Sequence, residues 1–444
     1  MSLYRFSHHY QLREGNMLDE MKHIKDCSID SIITDPPYGL TSIVDRFGKK
    51  GSKPVSDAND GSFSRLTRGF MGKEWDGSGI EYNVDTWKEC LRVLKPGGFL
   101  LAFGGTRTFY RIACAIEDAG FEIRDTIMWI YGSGFPKGFN VGLAIDRKNG
   151  VESPVVGTGQ SGATSKAFND HEYRIAQGIY STSGKYEIRA AQNEYAGWGT
   201  ALKPAFEPII LARKSLEGTT LDNIEKYNVG ALNIDGCKIG DDLIGGTTTP
   251  DLSYIYNQQR ALGNDTGMSF GQVADAPRIA LDPHYGRYPA NLIHDGLTEE
   301  WAKYFYCPKA TTKDRDEGLD DQSKQTTGRR PPVSNDDVQW KYQALQAQKK
   351  NIHPTVKPTE LMQYLIRLVT PPGGTILDPF MGSGSTGKAA MCENKDRDSR
   401  YQFIGIDVTP EYLPIADARI KWAIERYEPN GMPSAPGTRQ LRMF

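Results

Sequence analysis

The run Ser31-Ile32-Ile33-Thr34 ends in Asp35-Pro36-Pro37-Tyr38-Gly39: an acid, two prolines and an aromatic at the end of a short β-rich stretch. These residue types could handle a planar, conjugated amine such as the exocyclic amine of a nucleobase. The lone pair of such an amine is delocalised into the ring, so it is a poor nucleophile until acceptors aimed at its N–H groups localise it. Asp35 offers a carboxylate. The Pro36 carbonyl offers a second acceptor on a stiff backbone, because proline fixes its own φ and restricts the residue before it. Tyr38 could stack on a base drawn out of its helix, an interaction worth roughly 1–3 kcal/mol. Preorganised acceptors rather than a strong base would then drive the chemistry. The same tetrapeptide also suits an ordinary turn after a strand, so a partner motif has to decide.

That partner lies at the other end of the chain, in Thr375-Ile376-Leu377-Asp378-Pro379-Phe380-Met381-Gly382-Ser383-Gly384-Ser385-Thr386-Gly387. An apolar strand runs into a glycine-rich turn and then a helix, which lets a ligand approach the backbone and meet free N–H groups. A second strand, Tyr401 to Ile406, delivers Asp407 in the manner of a ribose-binding acid. Two other readings of the loop compete. A Walker A loop fails at Ala389, which follows Lys388 where Mg²⁺ needs Ser or Thr. A dinucleotide G-x-G-x-x-G fold fails on room, since only one helix, Glu411 to Arg426, fits after Asp407. The remaining strands must come from the N-terminal half, so the expected fold is α/β: a circularly permuted, doubly wound, Rossmann-like sheet.

The order Asp35-Pro36-Pro37-Tyr38, a long variable middle, His353-Pro354-Thr355-Val356-Lys357-Pro358, then Asp378 to Thr386, resembles the β-class of S-adenosylmethionine-dependent DNA amino-methyltransferases. The resemblance implies that Asp35, Pro36, Pro37 and Tyr38 form the target-amine site, with Asp35 also adjoining the cofactor. It implies that Asp378, Phe380, Gly382, Ser383, Gly384, Ser385 and Thr386 hold the cofactor's methionine end. Asp407 would bind the ribose, while His353, Pro354, Thr355, Lys357 and Pro358 close over the methionine moiety. Where the family usually has Gly-Asp, this chain has Gly15-Asn16, and Asn16 would reach the cofactor's adenine. Asp at the head of the tetrapeptide resembles the N6-adenine enzymes, whereas N4-cytosine enzymes more often carry Ser. The implied partner is double-stranded DNA. Similar proteins occur in phages and prophages, which allows a solitary enzyme as well as one paired with a restriction enzyme, and a homodimer is conceivable. A DNA-binding regulator without catalysis is the reading from another class. It has no need of Asp35 and two prolines.

The elements that must position these residues follow from periodicity. Expected are a helix over Met17 to Ile24, a strand over Ser28 to Thr34, a helix over Val84 to Leu94 stopped by Lys95-Pro96-Gly97-Gly98, and a strand over Phe99 to Phe103. A helix over Thr106 to Ala119 and a strand over Phe121 to Ile130 continue a parallel β-α-β-α-β series. Ala205 to Ala212 reads as the closing strand, with Pro208 marking an edge or bulge. Pro358 to Val369 is a helix with one apolar face.

The resulting division is a catalytic half at 1–140, a flexible Gly/Ser/Ala-rich insertion at 141–197, the closing strand at 198–214, a target-recognition domain at 215–348, a cofactor half at 349–430 and a tail at 431–444. In the 39–79 stretch, Lys49, Lys50 and Lys53 are candidates for phosphate contact, with a merely solvated loop as the alternative. In the recognition segment, aromatics interleave with Arg287, Arg329 and Arg330 as candidate DNA contacts. Gly296 to Tyr306 could be a helix, His294 is expected to be structural, and the acidic 314–321 stretch should face away from DNA.

Composition sets the outer bounds. At 444 residues, 38% hydrophobic and a net charge of −2, the chain is expected to be cytoplasmic, without a membrane span or a general basic coat. Its six cysteines (Cys27, Cys90, Cys114, Cys237, Cys307, Cys392) are scattered, so reduced, mostly buried thiols are expected and no metal site.

Overall fold

The computed structural model describes residues 3–38, 79–131, 138–160, 185–244, 248–250, 277–280, 284–294, 312–320, 325–326, 348–353 and 355–427. They fall into two compact units. The first comprises Met1–Trp129, Pro208–Gly318 and His353–Phe444; the second comprises Ile130–Glu207 and Leu319–Ile352.

The first unit is built on a nine-stranded sheet. Its strands in chain order are β1 (Leu3–Phe6), β2 (Tyr10–Glu14), β3 (Ile29–Thr34), β4 (Leu94–Phe103), β5 (Glu122–Ile130), β6 (Phe206–Arg213), β7 (Leu292–His294), β8 (Thr375–Asp378) and β9 (Gln402–Asp407). Their spatial order is 1-2-9-8-3-4-6-5-7. From β2 through β9, β8 and β3 to β4 every pairing is parallel, and β6 then runs antiparallel to β4. The strand that carries the glycine loop, near the C-terminus, therefore lies beside the strand that carries Asp35, near the N-terminus. Both deliver their motifs at their C-terminal ends.

The core follows from strand and helix periods. Ile29, Ile32, Leu100, Ala102, Leu377 and Ile406 form one cluster with Trp87, Cys90 and Val93 of the Val84–Val93 helix and with Ile112, Ala115 and Ile116 of the Phe109–Asp118 helix. Buried residues at 87, 90 and 93 give that first helix one apolar face, and the Asn83 side chain caps it by accepting the Asp85 N–H at 3.0 Å. Successive strand residues point to opposite faces. Ser31, next to Ile32, accordingly shares a 2.7 Å hydrogen bond with the Thr370 hydroxyl at the end of the Thr359–Val369 helix.

Most expected elements appear within a residue or two, and two readings need correction. Lys95-Pro96-Gly97-Gly98 is not a break between helix and strand but forms the first part of β4. The register jumps there from Ile29↔Leu94 to Ser31↔Phe99, so the extra residues bulge out. Gly97 takes φ +77°, and a Cβ there would lie 2.3 Å from Asn223 Nδ2. Second, the Pro208 strand is interior, between β4 and β5. Pro208 lies one position before the ladder, which opens at Ile209↔Phe103; its carbonyl accepts the Gly104 N–H at 2.9 Å, and the return bond to the Gly104 carbonyl is the one proline cannot make, a loss confined to the end of the pairing. In the acidic stretch, Asp314 and Glu317 are both bonded to the buried Lys388.

Sequence reading also missed β1, β2 and the Thr220–Tyr227 helix. Thr219 and Asp222 form a capping box that announces this helix. His294 is buried at the end of β7. Of the described cysteines, Cys90, Cys237 and Cys392 are buried while Cys27 and Cys114 are exposed. Gly296 to Tyr306 lies outside the described residues.

In the second unit, the Val141–Lys148 helix and an antiparallel ribbon of Val155–Gln160 with Lys185–Arg189 form the described part of what the sequence suggested as a flexible insertion. Asp146 ties them together, accepting hydrogen bonds from the Gln192 N–H, Asn193 Nδ2 and Ser153 Oγ. These bonds, the Gln192 N–H foremost, hold its carboxyl below the usual range. Among the described residues no helix is long and apolar enough to cross a membrane.

Asn223 is the structural clip for the β4 bulge. Its Nδ2 donates to the carbonyls of Pro96 (3.0 Å) and Val229 (2.7 Å), and its Oδ1 accepts the Glu217 N–H (3.0 Å). Replacing it with Ala leaves three backbone groups without these bonds. Asn223→Ala should cost about 2–4 kcal/mol in urea unfolding; a loss below about 0.5 kcal/mol would show that the bulge holds itself.

Candidate active site

Two motifs from opposite ends of the sequence meet at the C-terminal ends of β3 and β8. The register places Ile376 opposite Ser31 and Leu377 opposite Ile32. Thr34 thus sits beside Asp378, and its hydroxyl donates to Asp378 Oδ1 at 2.7 Å. Asp378 also accepts the Phe380 N–H on Oδ1 (3.1 Å) and the Thr386 hydroxyl on Oδ2 (2.6 Å). Those three bonds favour the carboxylate, but burial outweighs them and the nearby Asp35 charge adds to it, so the Asp378 carboxyl is pushed up to about 7.

The other corner is held as firmly. Pro36 and Pro37 are buried, and Asp35 and Tyr38 are half-buried. The Tyr38 carbonyl accepts the hydroxyls of Thr108 (2.7 Å) and Tyr82 (3.1 Å). Lys357, only 6% exposed, reaches in from the turn before the Thr359–Val369 helix. Its Nζ donates to Asp35 Oδ2 at 2.5 Å and to Tyr38 Oη at 3.2 Å. The same ammonium lies 4.9 Å from the Phe103 ring centroid and 5.6 Å from that of Tyr38. Neither Lys357 on Asp35 nor the two hydroxyls on the Tyr38 carbonyl was foreseen from sequence.

The glycine loop is a backbone cradle with its side chains turned inward. Gly382 and Gly384 take φ +53° and +72°. A Cβ on Gly382 would lie 2.6 Å from His353 Nε2, and one on Gly384 would lie 2.8 Å from Ala416 Cβ. Glycine is required at both for the conformation as well as the space. The hydroxyls of Ser383 and Ser385 accept from Arg419 Nη1 at 3.1 Å, and the Ser383 carbonyl accepts from the same nitrogen at 2.8 Å. Both serine oxygens are thus held by Arg419, and their hydroxyl protons and backbone N–H groups are what they can still offer a ligand. Arg419 escaped sequence reading because a lone arginine on an apolar helix face carries no motif. Lys388, the residue behind the Walker-like reading, is fully buried and bonds Asp314 Oδ1 (2.6 Å) and Glu317 Oε2 (2.8 Å). That contact fixes a structural segment, not a phosphate.

Asp407, at the end of β9, accepts the Gly382 N–H (2.7 Å) and the Thr409 N–H (2.7 Å), and burial pushes its carboxyl up to about 6. His353 Nδ1 lies 2.9 Å from the Thr355 carbonyl, and its ring meets Tyr412 edge-on at 4.6 Å. Burial pushes the imidazole down to about 3, so it is neutral, with Nδ1–H donating and Nε2 an acceptor at the loop. Thr355 is exposed and Pro358 buried at the helix N-cap. Asn16 follows β2, and its side-chain oxygen accepts the Leu18 N–H at 2.9 Å, capping the Met17–Glu20 helix. Arg287 lies on a separate ribbon formed by Ile239–Ile244 and His284–Arg287. Pro354, Lys49, Lys50, Lys53, Arg329 and Arg330 lie outside the described residues. Among the described residues no group of His, Cys, Asp and Glu is arranged to hold a metal.

Asp378 gives a signed pH dependence. Its folded pKa is raised above the ordinary carboxylate value, so between about pH 4 and 7 the folded state binds more protons and stability is lost as pH rises. His353 works the other way, with stability gained as pH rises from about 3 to 6.5. Comparison with Asp378→Asn isolates the carboxylate. The wild type should lose roughly 3 kcal/mol relative to the variant between pH 4 and 7.5, and a difference independent of pH would show that Asp378 ionises freely.

Known proteins resemble this chain along most of its length. The chain is 25% identical over 415 residues to the type II methyltransferase M.HindIII of Haemophilus influenzae, covering 90% of this chain and 92% of that protein. Over 69 residues it is 45% identical to the type II methyltransferase M2.DpnII of Streptococcus pneumoniae, covering 16% of this chain and 24% of the relative. Among solved structures, the complex of M1.HpyAVI with S-adenosylmethionine matches at 14% identity and TM-score 0.34, covering 93% and 98% of the two chains. The cytosine-N4-specific PvuII DNA methyltransferase matches at 13% identity and TM-score 0.40, covering 93% and 86%. The family model for N6/N4 DNA methylases matches residues 29–418, a span that takes in both motif-bearing strands, and the chain belongs to that family of S-adenosylmethionine-dependent DNA methyltransferases.

Proposed function

We propose that this enzyme methylates the N6 amine of an adenine flipped out of double-stranded DNA. The observation that carries the reading is the pairing of β3 with β8, which sets Asp35 and Asp378 at the C-terminal ends of adjacent parallel strands. On the β8 side the chain moves outward to β9, and on the β3 side to β4. This is a topological switch point, where open α/β sheets hold their ligands. With the loop-bearing half last in sequence, the sheet is read as circularly permuted, and 215–348 as the inserted recognition domain.

The residues present fit the family's cofactor. Gly382 and Gly384 leave a backbone surface without side chains, and the buried carboxylates of Asp378 and Asp407 suit its ammonium and ribose hydroxyls. Asp407 is also bonded to the loop through the Gly382 N–H, so ribose acceptor and cradle keep one spacing. Phe380, Thr386, His353, Thr355, Pro358 and Asn16 complete the assignment. When bound, S-adenosylmethionine supplies a methyl group on a sulfonium whose charge disappears on transfer. A site with Pro36, Pro37 and Asp378 buried excludes the water that would stabilise that charge.

Asp35 and the Pro36 carbonyl then accept the two amine hydrogens and turn the nitrogen lone pair towards the methyl, with Tyr38 stacked on the base. Lys49, Lys50, Lys53, Arg287, Arg329 and Arg330 are assigned to DNA. The family also includes N4-cytosine enzymes, whose target amine makes the same demands on this corner. Asp at position 35 is what favours adenine.

Purified protein incubated with unmethylated bacterial DNA and S-adenosylmethionine should yield N6-methyladenine in nucleoside mass spectrometry. N4-methylcytosine would move the target base, and no methylated base despite cofactor binding would overturn the reading. Asp35→Ala should lower transfer by about 10²-fold or more while cofactor affinity stays within severalfold; parallel loss of both would place Asp35 in cofactor binding alone.

A further inference from the structure

Methyl transfer to an amine asks two things of Asp35: that it be ionised, and that one carboxylate oxygen be turned to the target. Its surroundings oppose the first. Asp35 is close enough to Asp378 for each charge to disfavour the other, in a corner walled by two buried prolines. Among the described residues, the groups facing it include Asp378 from the end of β8, Tyr38 from its own turn, and Lys357 from the turn before the Thr359–Val369 helix.

Sequence pattern places Lys357 with the cofactor turn, but its ammonium is spent elsewhere. It can only donate, and it donates to Asp35 Oδ2 (2.5 Å) and Tyr38 Oη (3.2 Å), with the Phe103 ring beside it. The cofactor's methionine end carries a carboxylate that an ammonium could bind, beside an ammonium and a sulfonium that it could not, so cofactor affinity is the readout that separates that use of Lys357 from its bond to Asp35. The stem is nearly inaccessible, so the head has few other places to go.

Building on the methyl-transfer reading, we infer that Lys357 is a positioning residue for Asp35. Its ammonium keeps the carboxylate ionised beside Asp378 and holds Oδ2, which turns Oδ1 to the amine, and its bond to Tyr38 Oη sets the stacking ring by the same atom. The half of the chain that carries the cofactor motifs thereby tunes the acid of the target corner.

The test compares the wild type, Lys357→Met, Lys357→Arg, Asp35→Asn and the Asp35→Asn/Lys357→Met pair, with calorimetric S-adenosylmethionine binding as the check on folding. Lys357→Met should lower kcat by about 10²-fold with cofactor Kd within about threefold, and Lys357→Arg should recover at least about tenfold of that loss. The acid limb of the kcat profile should move up by about one pH unit in Lys357→Met, since an unpaired buried carboxylate is harder to ionise. In the Asp35→Asn background the methionine substitution should cost less than about threefold, because the charge it serves is gone. Loss of cofactor affinity in step with kcat, an unmoved acid limb, or full additivity with Asp35→Asn would each overturn the inference while leaving the methyl-transfer reading intact. A wild type that binds the cofactor and methylates no DNA would overturn that reading and the inference together.

Discussion

Everything in the first unit depends on one strand pairing, β8 against β3. The residues it joins are more than 340 positions apart, as the Thr34 to Asp378 hydrogen bond shows. Closing so long a loop is thermodynamically mild, because loop entropy grows only with the logarithm of length. What it demands is register. A slip by one residue would turn every side chain to the opposite face, taking Thr34 off Asp378, Ser31 off Thr370 and Ile32 and Leu377 out of their shared cluster. The polar bonds at the end of the strands and the apolar cluster beneath them therefore specify the same alignment, and that alignment sets the distance between the two motifs.

The glycine loop shows a second consequence of burial. The Ser385–Arg397 helix is buried continuously from Ser385 to Glu393, so polar groups along it must find protein partners. Lys388 finds Asp314 and Glu317. Glu393 takes Arg367 at 2.6 Å, and the serines of the loop take Arg419. Each of these residues has a type that sequence patterns associate with ligands, and each is committed to structure. The conformation of the loop rests on its glycines, at positive φ with no room for a Cβ, so the glycines, and not the buried lysine, carry the ligand argument.

How much of this was legible beforehand depends on the range of the determining interaction. Elements set by local periodicity, such as Val84–Val93 and Thr359–Val369, were readable because their apolar faces recur within a few residues. The two motifs were readable because proline, glycine and aspartate at fixed spacing restrict the backbone wherever they occur. The interior place of the Pro208 strand was not, because edge or centre depends on β5, β4 and their order in space. The tie of the acidic Asp314 segment to the sheet was not legible either, because a charge's partner, here Lys388 some 74 residues on, leaves no local trace. Asn16 sits where the pattern placed it, yet its side-chain oxygen serves a helix cap, a use that Asn supports as readily as ligand binding.

The site also has a charge logic that neither motif contains alone. Asp35 and Asp378 approach each other because β3 and β8 must pair. Burial above all, and the charge of the half-buried Asp35 after it, disfavours the Asp378 carboxylate, and its carboxyl is pushed up to about 7. Supplying a cation to the pair would restore both charges, and the position of the cation decides which acid benefits. Lys357 enters on the Asp35 side, its ammonium resting between two rings that tolerate a cation and exclude water. The Asp35 carboxylate is thereby given a permanent counter-charge, while Asp378 is left with neutral hydroxyl and amide donors from Thr34, Thr386 and Phe380. An acid arranged in that way suits a ligand that brings its own positive charge, so giving the lysine to one of the two aspartates sets their electrostatic environments apart.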